Sequence, residues 1–240
     1  MQTKGINRNL IIDESYPGLV KQEGEYKLEG NLQSEASIEI QLDKKLFVTG
    51  YIQADRSIKS NKGIKAGRHI KAGGNIIATE GDIESAESIT AIMDIIAEGN
   101  IRANYCIDAG GEIKAGKTIK AGWDIRAGTD IEAGFGIETG EGIRAGKSIK
   151  AKNDIKAEKR IEAGADIEAG WGIRAGLAIL CRGNLDVGYN IYAGICTWKE
   201  MNIDSALVDA NDKRIFCQKL GRGTVMYGEL VETDKSNGQN

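Results

Sequence analysis

One histidine, four cysteines and a recurring set of aspartates are the side chains here whose types could do chemistry. A histidine acts as a general base only within hydrogen-bond reach of the proton it removes, and it needs a slot to hold the substrate. His69 closes the segment Ile64 to His69 in the middle of uninterrupted, near-identical neighbours, with no inserted loop beside it. The sequence therefore reads it as a corner or surface histidine. Cys106, Cys181, Cys196 and Cys217 share no ligand spacing, which argues against a zinc site or a disulfide frame and for a reducing, cytoplasmic setting. Asp94, Asn100, Asp124, Asp130, Asp154, Asp166, Asn184 and Asn190 each precede an apolar residue, as turn residues do. They do not follow the nine-residue Gly-Gly-x-Gly-x-Asp calcium pattern. Glycine-rich stretches such as Ala109-Gly-Gly-Glu112 lack the strand, loop and long helix of a phosphate loop. The expectation is a chain that is not an enzyme, with no catalytic residues, no metal, no cofactor and no small-molecule substrate.

What positions these residues is a count of six. Ile64, Ile70 and Ile76 are followed by Ile83, Ile89, Ile95, Ile101, Ile107, Ile113 and Ile119, and the series runs on to Leu185 and Ile191. Two residues later comes a small side chain, Ala66, Ala72, Ala91, Ala97 and so on to Ala193, usually followed by glycine. An apolar residue at i and a small one at i+2 share a face in a strand, whereas a helix needs i, i+3, i+4. Glycine in nearly every unit would also weaken a helix by about 1 kcal/mol each relative to alanine. Each Ile-x-Ala-Gly-x-x unit is thus a short strand and a corner, where glycine can take positive φ or allow close backbone approach.

Such a unit cannot bury its isoleucine alone, so the units must coil into a solenoid whose coils hydrogen-bond to one another about 4.8 Å apart. The predicted fold is all-β: a three-sided parallel β-helix of hexapeptide repeats, about 18 residues per coil, capped at both ends. Reading every third unit places Lys114, Glu132, Lys150 and Glu168 in one outward column of alternating sign, as neighbouring strands favour. Lys65, Glu84, Arg102, Lys120, Glu138, Lys156 and Arg174 form another, less regular one. The seven-residue unit Ile76 to Asp82 predicts a one-residue bulge near Glu80 and Gly81. The spacing is silent on handedness.

The repeat extends back through Leu46, Ile52 and Ile58, which assigns residues 46–196 to the β-helix. Residues 1–45, where Leu32, Ile38, Ile40 and Leu42 alternate out of phase, read as an N-terminal cap and irregular first coil. Residues 197–240 read as a C-terminal β cap with a loose tail, its strands Arg214–Leu220 and Thr224–Val231 forming a β-hairpin around Gly221-Arg-Gly223. The chain has 41% hydrophobic residues, enough for a full core, and no leader or membrane-spanning run is visible in it. Its net charge of −3 interleaves both signs, which disfavours nucleic acid as a partner because a basic stripe is missing.

Two families share features with this pattern. The six-residue period resembles that of hexapeptide-repeat acyltransferases, which implies a three-sided helix and, for activity, a histidine base with a loop-built slot. Here the size order is reversed, large-x-small-Gly in place of small-x-large-Gly. The stretches Leu28–Ile40 and Leu46–Ile58 resemble the bactofilins, polymer-forming bacterial cytoskeletal proteins. That resemblance implies a right-handed three-sided β-helix of similar coil size and a structural role. The regular Ala-Gly repeat and the long C-terminal segment depart from the bactofilin pattern, so the coil, and not the polymerisation, is carried over.

With no pocket predicted, function falls to the outer walls. Tyr105 and Trp123 are expected on one edge, with Leu177 and Ile195 further along it; Phe135, Trp171 and Tyr189 are expected on another. Ile77 and Ile96 should stack on one face, beside Ile92 and Met93 at the neighbouring corner. Contiguous exposed apolar strips mark interaction surfaces, and Trp and Tyr are frequent anchors in them. The sequence therefore favours a non-catalytic scaffold that binds a protein partner or itself as a homo-oligomer, a dimer being the simplest case. A second reading is an inhibitor or decoy of the kind mobile elements encode, which binds a host nuclease or defence protein by occluding it or by imitating nucleic acid with an acidic strip.

Overall fold

The computed structural model describes residues 8–194 and 213–233, which fall into two compact units, 1–117 and 118–240, each described by itself. Each unit is built of parallel strands stacked as a β-solenoid, and there is no α-helix among the described residues.

In the first unit three stacks of parallel strands turn in succession. One stack holds Leu32–Ser34, Ile52–Ala54, Ile70–Ala72, Ile89–Ala91 and Ile107–Ala109. The next holds Ile38–Ile40, Ile58–Ser60, Ile76–Ala78, Ile95–Ala97 and Ile113–Ala115. The third holds Glu25–Leu28, Lys45–Val48, Ile64–Ala66, Ile83–Ser85 and Ile101–Ala103. Isoleucine sits on isoleucine and alanine on alanine, and the inward isoleucines are fully buried. The small inward position also admits Ser85, whose hydroxyl donates to the Arg68 carbonyl at 2.5 Å.

One expectation is corrected in this unit and another is met. Leu32 and Ile38 are already in phase, paired with Ile52 and Ile58; the slip is an insertion at the corner around Leu42, whose N–H reaches Asn61 Oδ1 at 3.1 Å. The bulge in the seven-residue unit is where it was expected: Ile76 pairs with Ile58 and Ile83 with Ile64, and Gly81 between them takes φ 120°. Ahead of the first coil, Leu10–Ile12 lies parallel to Ile38–Ile40, and Leu19–Lys21 folds antiparallel onto Glu25–Leu28.

The second unit repeats the arrangement. Ile119–Ala121, Ile137–Thr139, Ile155–Ala157 and Ile173–Ala175 form one stack. Ile125–Ala127, Ile143–Ala145, Ile161–Ala163 and Ile179–Cys181 form a second, and Ile131–Ala133, Ile149–Ala151 and Ile167–Ala169 a third. Asn184–Ala193 then runs unbroken across two faces.

The expected C-terminal hairpin is not formed. Arg214–Cys217 lies parallel on Ile179–Cys181, Lys219–Tyr227 parallel along Asn184–Ala193, and Glu229–Glu232 parallel on Arg214–Cys217. The segment continues the solenoid, because Ile215 and Cys217 regain the inward positions over Ile179 and Cys181 and become fully buried. Gly221 and Gly223 are not a hairpin turn but bulged positions, packed against Asp186 and Val187. The tail expected to be loose, 234–240, and the stretch 195–212 lie outside the described residues.

The corner aspartates do something other than local turn chemistry. Asp94 Oδ1 accepts the N–H of Glu112 at 2.8 Å while the Asp94 N–H itself donates to Asn75 Oδ1 at 2.9 Å. Asp124, Asp130, Asp154 and Asp166 accept in the same way from Gly142, Ser148, Gly172 and Asn184, one coil on. Each carboxylate thus ties its corner to the next. Asp94→Ala is expected to leave the Glu112 N–H without its acceptor and cost about 1–2 kcal/mol, while Asp94→Asn, which keeps the oxygen as Asn75 does, costs far less. Urea denaturation of the two variants checks the difference.

Candidate functional site

In the first unit the outward middle residues Ile77 and Ile96 are register partners. Ile92 and Met93 occupy the corner that leads into the Ile96 strand, and they are 70% and 52% exposed. The corner is pinned from both sides: the Met93 N–H donates to Gly74 O, and its carbonyl accepts from Gly111. These four apolar side chains therefore gather on one face and its adjoining corner. Tyr105, also exposed, stands at a different corner, above Glu87.

His69 is a corner residue. Its ring stacks on Tyr51 at 4.9 Å between centroids with a 5° tilt, and Nδ1 lies 3.5 Å from Glu87 Oε2. Tyr51 in turn donates its hydroxyl to Gln33 Oε1. The imidazole is one layer in a column of side chains stacked coil upon coil.

In the second unit two corners carry aromatics. Trp123, 53% exposed, heads a column continued by Glu141, Lys159 and Leu177, each N–H donating to the carbonyl of the residue one coil back. Lys159 and Glu141 form an ion pair that raises the lysine pKa. Tyr105 and Trp123, expected on one edge, belong to different units, and Ile195 lies outside the described residues.

The other corner is richer. Phe135, Asn153, Trp171 and Tyr189 stack in successive coils, linked by Asn153 N–H to Phe135 O at 2.8 Å, Trp171 N–H to Asn153 O at 3.3 Å and Tyr189 N–H to Trp171 O at 2.8 Å. The three aromatics are 50%, 57% and 67% exposed. This ridge holds its shape because glycines flank it: a Cβ on Gly170 would lie 2.0 Å from the Lys152 carbonyl oxygen. Only glycine lets the coils close up beside Trp171.

The walls on either side of the ridge are charged. The strands leading into it present Glu132, Lys150, Glu168 and Asp186, and those leading out present Glu138, Lys156, Arg174 and Tyr192. Lys150 Nζ meets Glu168 at 2.8 Å, an exposed hydrogen-bonded pair that raises the lysine pKa. On the outgoing side an open recess of about 540 Å³ is lined by Asp154, Trp171, Gly172, Arg174, Tyr189 and Asn190.

A third apolar column was not anticipated. Leu180, Phe216 and Val231 are outward register partners near the chain's end, and Leu180 and Phe216 line a recess of about 490 Å³. The six-residue phase breaks at residues 195–212, so spacing alone could not assign Phe216 to the wall of Leu180. Beneath them Cys181 and Cys217 are buried, which pushes their thiols up to about 12 and about 11, out of the range of reactive cysteines.

Among the described residues no three His, Cys, Asp or Glu side chains converge as metal ligands would. Comparison with protein-family models, curated protein sequences and solved structures gives no match.

Proposed function

We propose that this chain is a non-catalytic scaffold that binds protein, itself or another chain, through the outer surface of a rigid β-solenoid. The observation that carries the reading is the Phe135, Trp171 and Tyr189 ridge, three half-exposed to mostly exposed aromatics in one hydrogen-bonded column. Aromatic side chains with only two rotatable bonds on a hydrogen-bonded backbone column lose little conformational entropy on binding, and Trp and Tyr are the residues that most often anchor interfaces. The Ile77, Ile92, Met93 and Ile96 group is a second such surface, in the other unit.

Charge supports a scaffold over a nucleic-acid decoy. The outward strand columns of the second unit, Lys120, Glu138, Lys156, Arg174 and Glu132, Lys150, Glu168, Asp186, both mix signs. A phosphate mimic needs an unbroken acidic strip.

Trp171→Glu is expected to weaken association at least about tenfold, as loss of a central aromatic anchor does, without altering the circular dichroism spectrum. Light scattering and affinity capture measure it. Unchanged mass and unchanged capture would remove the ridge as the binding surface.

A further inference from the structure

Resting on the scaffold reading, we infer that the occupant of the Phe135–Tyr189 ridge is a second copy of the chain, docked side by side with both copies running in the same direction. Three features of the second unit point to that arrangement.

The first is that the recess is one-sided. Asp154, Gly172, Arg174 and Asn190, which line it with Trp171 and Tyr189, all follow the corner in sequence; the flank of Glu168 has no part in it. A two-fold axis parallel to the direction of coil stacking exchanges the two flanks, so a small lateral offset seats each ridge in the other's recess simultaneously. A two-fold axis across the ridge keeps the flanks in place, and the ridges then meet head on with both recesses unfilled. Isologous contacts bury the same patch twice, which makes the first geometry the productive one. In it, each Trp171 indole enters a site already walled by an indole, a phenol ring and the Arg174 guanidinium, partners suited to ring stacking and cation–π contact.

The second feature is charge. At the level of Trp171, Glu168 stands on one flank and Arg174 on the other; at the level of Asn153, Lys152 and Asp154 do. The parallel two-fold brings Glu168 to the partner copy's Arg174 and Lys152 to its Asp154. The like-charged opposites it creates, Lys150 with Lys156 and Glu132 with Glu138, each keep an opposite charge of their own chain beside them, and Glu168 and Asp154 then bridge their own lysine and the partner copy's cation. Of Lys150 and Lys156, one pairs with Glu168 at 2.8 Å and the other with Asp154 at 3.2 Å. Of Glu132 and Glu138, one neighbours Lys150 and the other bonds Lys120 at 3.0 Å. An antiparallel axis through the Trp171 level sets Glu168 on Glu168 and Arg174 on Arg174, and one through the Asn153 level sets Lys152 on Lys152.

The third is the order Phe, Asn, Trp, Tyr, which is not palindromic. An antiparallel axis midway between Asn153 and Trp171 sets Glu168 on Lys150 but Arg174 on Lys156, and it presses the carboxamide against the indole, leaving its polar atoms underbonded. Parallel alignment sets aromatic against aromatic and Asn153 against its own copy, where two amides can bond each other.

A charge-swap cycle, read by sedimentation over a concentration series, tests the arrangement. The wild-type chain is expected to be a dimer. Glu168→Arg and Arg174→Glu should each weaken it about tenfold, and the double variant should return to within about threefold of wild type, because the pair is remade across the axis. A double variant no better than the weaker single overturns the parallel arrangement. A monomeric wild type overturns the second-copy inference altogether, while the scaffold reading survives that result if Trp171→Glu still abolishes capture of another protein.

Discussion

Ile155→Asp is expected to destroy the fold of the second unit's central coils. Ile155 is fully buried between Ile137 and Ile173, its register partners above and below, which are themselves 1% and 0% exposed. Removing the isoleucine forfeits burial and leaves a cavity, together about 2–5 kcal/mol for a large-to-small core change. The carboxyl then has no partner in a dry stack of aliphatic side chains, which adds several kcal/mol whether it ionises or takes up a proton. The sum is comparable to the whole stability of an ordinary domain, about 5–15 kcal/mol. Burial raises the pKa of a lone carboxyl, so the protonated form is the tolerated one and the defect should ease in acid and worsen toward neutrality. Ile155→Val, which deletes one methylene, should cost only about 1 kcal/mol. Thermal melts at acidic and neutral pH separate the two. A neutral-pH melt of Ile155→Asp within a few degrees of wild type would be incompatible with an inward residue 155.

Gly170→Ala should be nearly as damaging, for a steric reason. The new methyl would stand 2.0 Å from the Lys152 carbonyl oxygen and 2.9 Å from its carbon, both backbone atoms of the coil below. No rotamer relieves that contact. The coils must part, at a cost of about 3 kcal/mol or more, and the N–H of Gly170, which donates to Ala151 O at 3.0 Å, is strained with them. Gly24→Ala is the control. Its φ of 91° suits glycine, but nothing lies within 4 Å of the added atom, so the expected cost is only the backbone term of about 1–2 kcal/mol. Equal losses for the two variants in chemical denaturation would contradict close approach as the reason for glycine at this point of the repeat. Because Gly170 adjoins Trp171, partial unfolding here should also disperse the aromatic ridge.

Much of this architecture was legible in the residues. Ile125 and Ile143, or Lys150 and Glu168, are 18 apart and do lie side by side, since a repeat of six closing on three sides leaves no other partner. The extra residue before Ile83 could be placed at a corner because both flanking strands kept their register. The exposed aromatics at Phe135, Trp171 and Tyr189 followed from the same count.

Other features were misread where the chain itself gives two answers. Arg214–Val231 has the composition and glycines of a hairpin, and only the buried places waiting above Ile179 and Ile191 turn it into further parallel rungs. Asp94 and its counterparts look like local turn formers, and their true acceptor role spans a coil. Glycine was expected to serve either by positive φ or by close approach; in the repeat corners it is the second, while positive φ is confined to positions such as Gly81 and Gly223. Leu180, Phe216 and Val231 could not be joined in advance across residues 195–212.

The division has one physical cause. Period, inward identity and outward charge are properties of a residue's place in a local unit, so the amino-acid order alone determines a parallel solenoid with an isoleucine and alanine interior. Which corner gains a recess, which carboxylate ties which coil, and where the last segment rejoins depend on atoms brought together from distant positions, and only the folded chain decides them.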